Sequence, residues 1–281
     1  MRIELHAHTS ASDGQYPPDA LVALARTLHL DVLAITDHDT TDGVAPARQA
    51  AAGSPLILAG IELSAEDAVD VHILGYGLNP ETPVLQAALA GFRNGRETRA
   101  RQMVDRLTAL GVPVEWEDVA ALASGSIGRP HIARAMVTAG HVESVRDAFD
   151  QYLHNGGPAY VARPRLTPED AVTLIHQAGG AAILAHAGLL PDWHGMVERL
   201  IPAGLDGVEV NHPKNNEAVR LELRALAAQM NLIMTGGSDF HGRAVSDAML
   251  GSVEPPAGAV QALLARAAQW TERNLGSTHP E

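Results

Sequence analysis

Short apolar runs separated by longer amphipathic segments dominate the hydrophobic pattern of this chain. The runs at 3–5, 31–36, 56–61, 181–185, 207–210 and 231–236 have the length and composition of buried strands. Between them, segments such as 19–29 and 217–230 are rich in Ala and Leu and predict helices. Strands that alternate with helices of this length predict βαβ units and a parallel sheet.

The segment 84–165 interrupts this alternation. It predicts helices at 84–110, 117–123, 130–139 and 145–154, and no convincing strand. We therefore predict an α/β barrel formed by 1–83 and 166–281, and a helical insertion at 84–165 that forms a substrate cap. After the insertion, Thr167 is expected to cap a helix over 168–178, and a last helix is expected at 258–275.

The composition restricts the kinds of metal site and partner that the chain can have. The chain has 281 residues, is 46% hydrophobic and contains no cysteine, so any metal must be held by nitrogen and oxygen. Its net charge of −13 argues against a general nucleic-acid coat protein. The segment 84–165 is different, because its ten Arg and eight acidic residues leave +2 there and −15 elsewhere. With no signal-peptide pattern and no long apolar stretch, a cytoplasmic protein without a membrane partner is expected.

Candidate metal ligands follow the predicted strands one after another. In parallel α/β barrels the carboxyl ends of the strands carry the active site, so these side chains are expected to converge. A single His or Asp at a strand end is more often a cap, but five such sites together are far less easily explained that way. The weakest candidate is His72, which sits early in the apolar run 71–74. The candidates are His6, His8, Asp13, His38, Glu62, His72, His186, Asp239 and His241.

Imidazole and carboxylate without thiolate suit Mn²⁺, Zn²⁺ or Fe²⁺. Several carboxylates allow ions to be bridged about 3.5–4 Å apart, a spacing used in phosphoester hydrolysis. We expect two or three divalent ions, with Mn²⁺ first and Zn²⁺, Fe²⁺ or Mg²⁺ as alternatives. A metal-bound hydroxide, on ions held by Glu62 and Asp239, is expected to attack phosphorus, with Arg129 or His212 stabilising the transition state.

At these residues the sequence resembles the PHP (polymerase and histidinol phosphatase) family. The resemblance covers almost the whole chain through the motifs HAHTSASDG, ITDHDT, GIELS, VHILGY, LAHAG and GGSDFHG, in that order. It implies a distorted, TIM-like (β/α)7 barrel and three metal groups. Many relatives have His where this chain has Asp13. The implied groups are His6, His8, Glu62 and Asp239; Glu62, His72 and His186; and Asp13, His38 and His241.

The segment SIGRPHIARAMV resembles one branch of that family. The resemblance implies removal of a phosphate, the 3′-phosphate, from 3′,5′-nucleotide bisphosphates to give a nucleoside 5′-monophosphate, and trimming of short RNA 5′ ends. Arginine suits phosphate because its planar fork donates two hydrogen bonds. His131 and Arg134 are three residues apart and are expected to share a helical face. The expected substrate-binding residues are Arg99, Arg129, His131, Arg134 and Lys214.

Competing interpretations stay open at this point. Most arginines of the insertion can simply solvate helices, and Lys214 can belong to a capped loop. The enzyme can be a histidinol-phosphate phosphatase or a DNA-directed PHP nuclease instead. A non-catalytic, metal-stabilised binding module is the alternative from another class. With aromatics at 4%, a long base-stacking surface is not expected, so the partner is a nucleotide or very short oligonucleotide rather than duplex nucleic acid.

Overall fold

A computed structural model describes residues 1–67, 69–123, 127–161, 166–242 and 248–276. Ser126 of the SIGRPHIARAMV motif and the predicted end of the insertion at 165 lie outside these residues. The chain forms two compact units, one of Met1–Ala87 with Arg165–Glu281 and one of Ala88–Pro164. No described helix is long and apolar enough to cross a bilayer.

The first unit is built on one seven-stranded sheet whose strands are arranged in chain order. Its first and last strands approach each other beyond their ends, where His8 N donates to Phe240 O at 2.9 Å and Phe240 N donates to His6 O at 3.1 Å. The sheet is thus nearly closed into a barrel, and the predicted distorted TIM-like barrel is confirmed. The strands are β1 (Ile3–Glu4), β2 (Val32–Ile35), β3 (Leu56–Glu66), β4 (Asp70–Tyr76), β5 (Ala181–Leu184), β6 (Gly207–Asn211) and β7 (Ile233–Gly236).

One strand runs against the others. β4 is antiparallel to both β3 and β5, whereas the remaining neighbours pair in parallel. Only three residues separate β3 from β4, and a parallel crossover needs a dozen or more, so the chain must turn straight back. The expectation of an all-parallel sheet is therefore wrong at β4.

Helices surround this sheet where their apolar faces can be buried. The Thr167 side chain accepts a hydrogen bond from Asp170 N and caps the following helix, as predicted. Two helices, Val44–Ala51 and Trp193–Leu200, lie in intervals between strands where the sequence analysis named no helix by its bounds. The helices of this unit are α1 (Pro18–Thr27), α2 (Val44–Ala51), α7 (Pro168–Gln177), α8 (Trp193–Leu200), α9 (Glu217–Gln229) and α10 (Ala259–Gly276).

The core of the first unit lies inside the barrel and between the sheet and its helices. Fully buried Leu and Ile side chains stabilise it by about 1.5–3 kcal/mol each. Tyr76 is also fully buried, and its hydroxyl donates to Leu5 O at 2.8 Å. Core residues within and around the sheet include Leu5, Leu33, Ile35, Leu58, Ile61, Leu74, Ile183, Val208 and Leu263.

The buried carboxylate of Asp206 accepts hydrogen bonds from several elements at the amino-terminal end of the barrel. Asp206 directly precedes β6 and accepts hydrogen bonds from His176 Nε2 and Ala182 N, each at 2.9 Å. Arg266 and Trp270 of α10 also donate to it. Burial opposes its ionisation, but these donors hold the pKa of Asp206 below its usual value. The cluster lies at the end opposite the carboxyl ends of the parallel strands.

The second unit is helical and has its own core. Met103, Leu107, Val119, Ile132 and Met136 are all buried within it. A π-helical turn, Phe149–Leu153, extends the short helix Val145–Ala148 and replaces the end of the helix predicted at 145–154. The helices that supply residues to this unit are α3 (Pro83–Ala109), which begins in the first unit, and α4 (Trp116–Ala121), α5 (Arg129–Thr138) and α6 (Val145–Ala148).

Candidate metal centre

The predicted ligands meet at one end of the barrel. His6, His186 and Asp239 follow β1, β5 and β7. His72 lies near the start of β4, and because β4 is antiparallel its start is at the same end as the carboxyl ends of the others. The early position of His72 in its apolar run is thereby explained.

Glu62 lies inside β3 rather than at its end, which corrects the sequence-based placement. Two backbone hydrogen bonds join the loop after β2 to Glu62. Asp39 N donates to Glu62 O at 3.0 Å, and Glu62 N donates to Asp37 O at 3.1 Å. Those bonds place the His38 side chain beside that of Glu62. The local sheet geometry therefore brings ligands from β2 and β3 together.

The Glu62 carboxylate is the centre of the cluster. It is almost fully buried, and its two oxygens face different imidazoles. Oε1 is 2.9 Å from His72 Nδ1 and 3.1 Å from His186 Nε2. Burial opposes ionisation, but the surrounding imidazoles hold the pKa of Glu62 well below its usual value. The imidazoles within 3.3 Å of Oε2 belong to His6, His8 and His38.

The first predicted group is compact. His6 Nε2 and His8 Nε2 each lie 3.2 Å from Glu62 Oε2 and 3.4 Å from Asp239 Oδ1. The ligand atoms of His6, His8, Glu62 and Asp239 all lie within 4.8 Å of one another, as one ion requires. Burial disfavours protonation of His8, yet the carboxylates of Asp239 and Glu62 raise its pKa to about 10.

The second predicted group shares Glu62 with the first. Glu62 and His72 also lie within metal-binding distance of His38, which the sequence assigned to the third group. His186 lies beside them, with its ring centroid 5.1 Å from that of His72. His38 is therefore placed between two groups. Burial lowers its pKa to about 3, so the imidazole is neutral and one ring nitrogen offers a lone pair to a cation.

The third group contains Asp13, His38 and His241, and the structure adds His8 to it. Asp13 Oδ1 is 3.4 Å from His241 Nε2 and 3.7 Å from His8 Nδ1. The His8 and His241 rings stack with their centroids 3.9 Å apart. Although burial acts against ionisation, His38 and His241 lower the pKa of Asp13, so this aspartate offers an anionic oxygen.

The donor set fits divalent cations on an independent ground. His8 Nδ1, His8 Nε2 and His38 Nδ1 are buried and make no hydrogen bond to any residue that the structure describes. Leaving a buried polar atom unpaired costs about 1–3 kcal/mol. A cation bound to one nitrogen of each ring would replace any proton there and neutralise the carboxylates between the rings. Imidazole and carboxylate together suit Mn²⁺, Zn²⁺ or Fe²⁺.

Two buried acids that the sequence reasoning did not assign support the loops carrying the ligands. Asp37 accepts hydrogen bonds from Thr9 N at 2.7 Å, Thr9 Oγ1 at 2.8 Å and Ser12 Oγ at 2.7 Å. Glu4 accepts from His6 N and Ser238 N, each at 2.9 Å. The only sequence signal for these roles was the position of the two acids beside His-rich motifs, because Thr9 and Ser238 lie far from Asp37 and Glu4 in sequence.

His212 joins this centre, but the Lys214 side chain does not. His212 is 1% exposed, and its Nε2 lies 3.5 Å from Asp239 Oδ2. Its Nδ1 accepts the backbone N–H of Lys214 at 3.3 Å. Lys214 itself is exposed in the turn after β6. Of these two residues, His212 is therefore the better candidate for stabilising the transition state.

The predicted substrate residues of the helical unit have different environments. The guanidinium carbons of Arg99 and Arg129 lie 5.2 and 5.6 Å from the centroid of the Tyr160 ring. Arg129 also donates to Asn155 Oδ1 at 2.7 Å. His131 is buried and its Nδ1 accepts Gly128 N–H, whereas Arg134 is exposed. His131 and Arg134 therefore do not form the common surface that their spacing suggested.

A nearly closed α/β barrel with a cluster of His and carboxylate side chains at one end is the arrangement expected of a metal-dependent hydrolase. The model of the PHP domain family matches residues 4–160, more than half of the chain. The chain belongs to the PHP family and is a phosphoric ester hydrolase. The family resemblance noted in the sequence is thus confirmed.

The chain is also similar to proteins with named activities. The chain is 37% identical to the 5′-3′ exoribonuclease Rnm of Escherichia coli, over 85% of this chain and 84% of that protein. It is 38% identical to a 3′,5′-nucleoside bisphosphate phosphatase of Chromobacterium violaceum, over 85% and 87%. A solved structure from Bifidobacterium adolescentis matches 94% of this chain and 96% of its own, with 36% identity and a TM-score of 0.83.

Proposed function

We propose that this enzyme removes the 3′-phosphate from nucleoside 3′,5′-bisphosphates and releases the nucleoside 5′-monophosphate. The observation that carries the hydrolytic part is the donor cluster around Glu62, whose two oxygens face five imidazoles. The 38% identity to a bisphosphate phosphatase over most of both chains supports the substrate class.

In this proposal the three predicted groups hold two or three divalent ions, with Mn²⁺ first. The nitrogen and oxygen donors would hold Zn²⁺, Fe²⁺ or Mg²⁺ as alternatives. The chemistry that such ions supply when bound is neutralisation of phosphoryl charge and activation of water. The chain contributes the orientation of the ligands, because Glu62, Asp239 and the imidazoles are held on the strands and strand ends of one sheet.

His212 supplies a hydrogen-bond donor to the reacting phosphate in this mechanism. Its Nδ1 accepts the Lys214 backbone N–H, so the imidazole proton resides on Nε2. That atom is buried, has no hydrogen bond to a described residue and faces Asp239. Nε2–H can therefore donate to a phosphoryl or leaving oxygen as negative charge develops there.

The helical segment 84–165 is proposed to act as a substrate cap that binds the second phosphate, so Arg129 is assigned to that phosphate and the transition-state role to His212. Arg99, which is buried, and Arg129 both lie against the Tyr160 ring, and such cation–π contacts contribute about 0.5–2 kcal/mol each, more where they are desolvated. Held in this way, the guanidiniums lose less freedom when they bind an anion. Arg134 and His131 complete the proposed set, with Arg134 exposed to incoming ligands. Lys214 is exposed and adds a further cation.

Phosphate release from adenosine 3′,5′-bisphosphate by the Mn²⁺-loaded protein tests the proposal. We expect rapid release with AMP as the product, and little release from histidinol phosphate assayed in parallel. Chromatography of the nucleotide product identifies which phosphate has left. Turnover of histidinol phosphate alone would retain the metal cluster and reject the nucleotide substrate.

Short RNA is the second candidate substrate, because the Escherichia coli relative named as a 5′-3′ exoribonuclease is 37% identical to this chain. A 5′-phosphorylated trinucleotide assayed beside the bisphosphate separates the two substrates. Preference is measured as the ratio of the two kcat/KM values. A ratio well above one for RNA would make the bisphosphate a secondary substrate.

Changing Arg134 or Arg129 to alanine should weaken the reaction with bisphosphates selectively. A hydrogen bond to a charged group contributes about 1.5–3 kcal/mol, so kcat/KM should fall about 10–150-fold. An aryl phosphate lacks the second phosphate and should be hydrolysed within about threefold of the wild-type rate.

The matched control is Arg146→Ala. Arg146 lies in the same helical unit, and its side chain is 88% exposed beside Asp150. Its replacement should leave both substrates unaffected. Equal losses on the bisphosphate and the aryl phosphate in the Arg134 and Arg129 variants would contradict a role in binding the second phosphate.

A further inference from the structure

We propose that Glu209 is a positioning residue that holds two metal ligands, His6 and His186, in their binding orientation. Glu209 lies in β6 and is completely buried. Its Oε1 is 3.0 Å from His6 Nδ1, and its Oε2 accepts the backbone N–H of His186 at 2.7 Å. One side chain thus contacts ligands of the first and second proposed groups. The inference rests on the ligand set proposed above.

The contact with His6 determines which ring nitrogen can bind a cation. His6 Nε2 faces Glu62 Oε2 at 3.2 Å and Asp239 Oδ1 at 3.4 Å, whereas Nδ1 faces Glu209. A carboxylate at Nδ1 keeps the proton on that nitrogen, so the Nε2 lone pair remains directed at the cluster. Metal-ligating histidines commonly donate their other N–H to a carboxylate in this way.

The contact with His186 acts through the backbone. His186 has φ 31° and ψ 44°, a left-handed conformation that residues other than glycine rarely adopt. This turn directs the imidazole back over the sheet, where its Nε2 reaches Glu62 Oε1 at 3.1 Å. The hydrogen bond from His186 N to Glu209 Oε2 holds the turn at the end of β5. Loss of this hydrogen bond would remove a contact that stabilises the strained backbone conformation of His186.

Both carboxylate oxygens are needed because both partners are donors. Glutamine offers one acceptor oxygen and places its NH₂ group against the other donor. Aspartate keeps two acceptors and the charge, but its side chain is one methylene shorter and cannot span the same two partners. Glu209→Gln and Glu209→Asp therefore perturb the two ligands by different routes.

The same region of the chain offers a matched control. Asp206 is 1% exposed, and it also accepts one imidazole N–H, from His176, and one backbone N–H, from Ala182. It precedes β6 at the opposite end of the barrel, away from the proposed ligands. Asp206→Asn thus removes a comparable buried carboxylate without touching the metal centre.

The test is titration of metal-free protein with Mn²⁺ by calorimetry, and with Co²⁺ by visible absorption. Glu209→Gln should bind Mn²⁺ about 10–100-fold more weakly than wild type, the usual effect of removing a carboxylate partner of a metal-bound His. Its Co²⁺ absorption bands should shift or weaken. Asp206→Asn should bind both metals within about twofold of wild type, even if its thermal midpoint falls.

Each outcome decides a separate question. Wild-type affinity and an unchanged Co²⁺ spectrum in Glu209→Gln would overturn the positioning role and leave the metal centre intact. If wild type itself binds no metal, the proposed ligand set fails instead. Should Glu209→Gln fail to fold, Glu209→Asp gives the answer: weakened binding supports the role, and wild-type affinity overturns it.

Discussion

Replacing Glu62 with glutamine is expected to lower kcat by about a thousandfold or more. Within the part of the chain that the structure describes, the Glu62 carboxylate contacts imidazoles of all three proposed groups. Glutamine removes the negative charge and one of two ligand oxygens at once. Losing a single preorganised electrostatic contact in an active site costs about 10²–10³ in kcat, and Glu62 makes several.

The measurement is kcat for an aryl phosphate at saturating Mn²⁺, which does not depend on the proposed second-phosphate site. Asp206→Asn serves as the control, because Asp206 forms a carboxylate–imidazole contact of 2.9 Å, equal to that between Glu62 and His72. The control should keep kcat within about threefold. A Glu62→Gln enzyme with kcat within tenfold of wild type would show that Glu62 is not central to the chemistry.

Removing divalent ions should abolish activity and lower the thermal midpoint by about 8 °C. A ligand present at a thousand times its Kd stabilises the folded state by about 4 kcal/mol, and each kcal/mol corresponds to roughly 2 °C in a chain of this size. The structural reason is that buried nitrogens of His8 and His38 have no hydrogen bond to the described residues, and a cation would satisfy them.

Differential scanning fluorimetry of chelator-dialysed protein, with and without added Mn²⁺, measures this shift. Activity and thermal midpoint should return together as Mn²⁺ is restored. Adding Mn²⁺ to the Asp206→Asn variant should produce the same upward shift as in wild type. Full activity after exhaustive chelation, or a midpoint insensitive to every divalent ion, would contradict a metal-dependent reaction.

Much of the architecture could be predicted from local patterns. The alternation of apolar runs and helices led to an α/β barrel, and Thr167 indicated the start of α7 through its hydroxyl, which indeed accepts from Asp170 N. The bounds of helix α2 were not predicted, because it has no side-chain cap and only eight residues. Weak local signals of this kind depend on tertiary burial to form an element.

The direction of β4 shows where local patterns stop being informative. An apolar run with period two has the same appearance whether the strand is parallel or antiparallel. The three-residue connection after β3 forces the antiparallel arrangement, which brings His72 to the ligand end and leaves Glu62 within β3. Ligand types could be inferred from sequence, but the grouping of His8 and His38 required the closed sheet.

Asp206 and Glu209 separate what the sequence determined from what the tertiary structure decided. The sequence by itself determined the family, the absence of thiolate ligands and the residue types available to hold metal. It could not distinguish two acids three positions apart around one strand. Only the pairing of β6 with β5 and β7, and the near closure of the sheet, place one beside His176 and the other beside His6. The reason is physical: hydrogen-bond partners more than 200 residues away in sequence, as His6 is from Glu209, are chosen by strand register and not by local pattern.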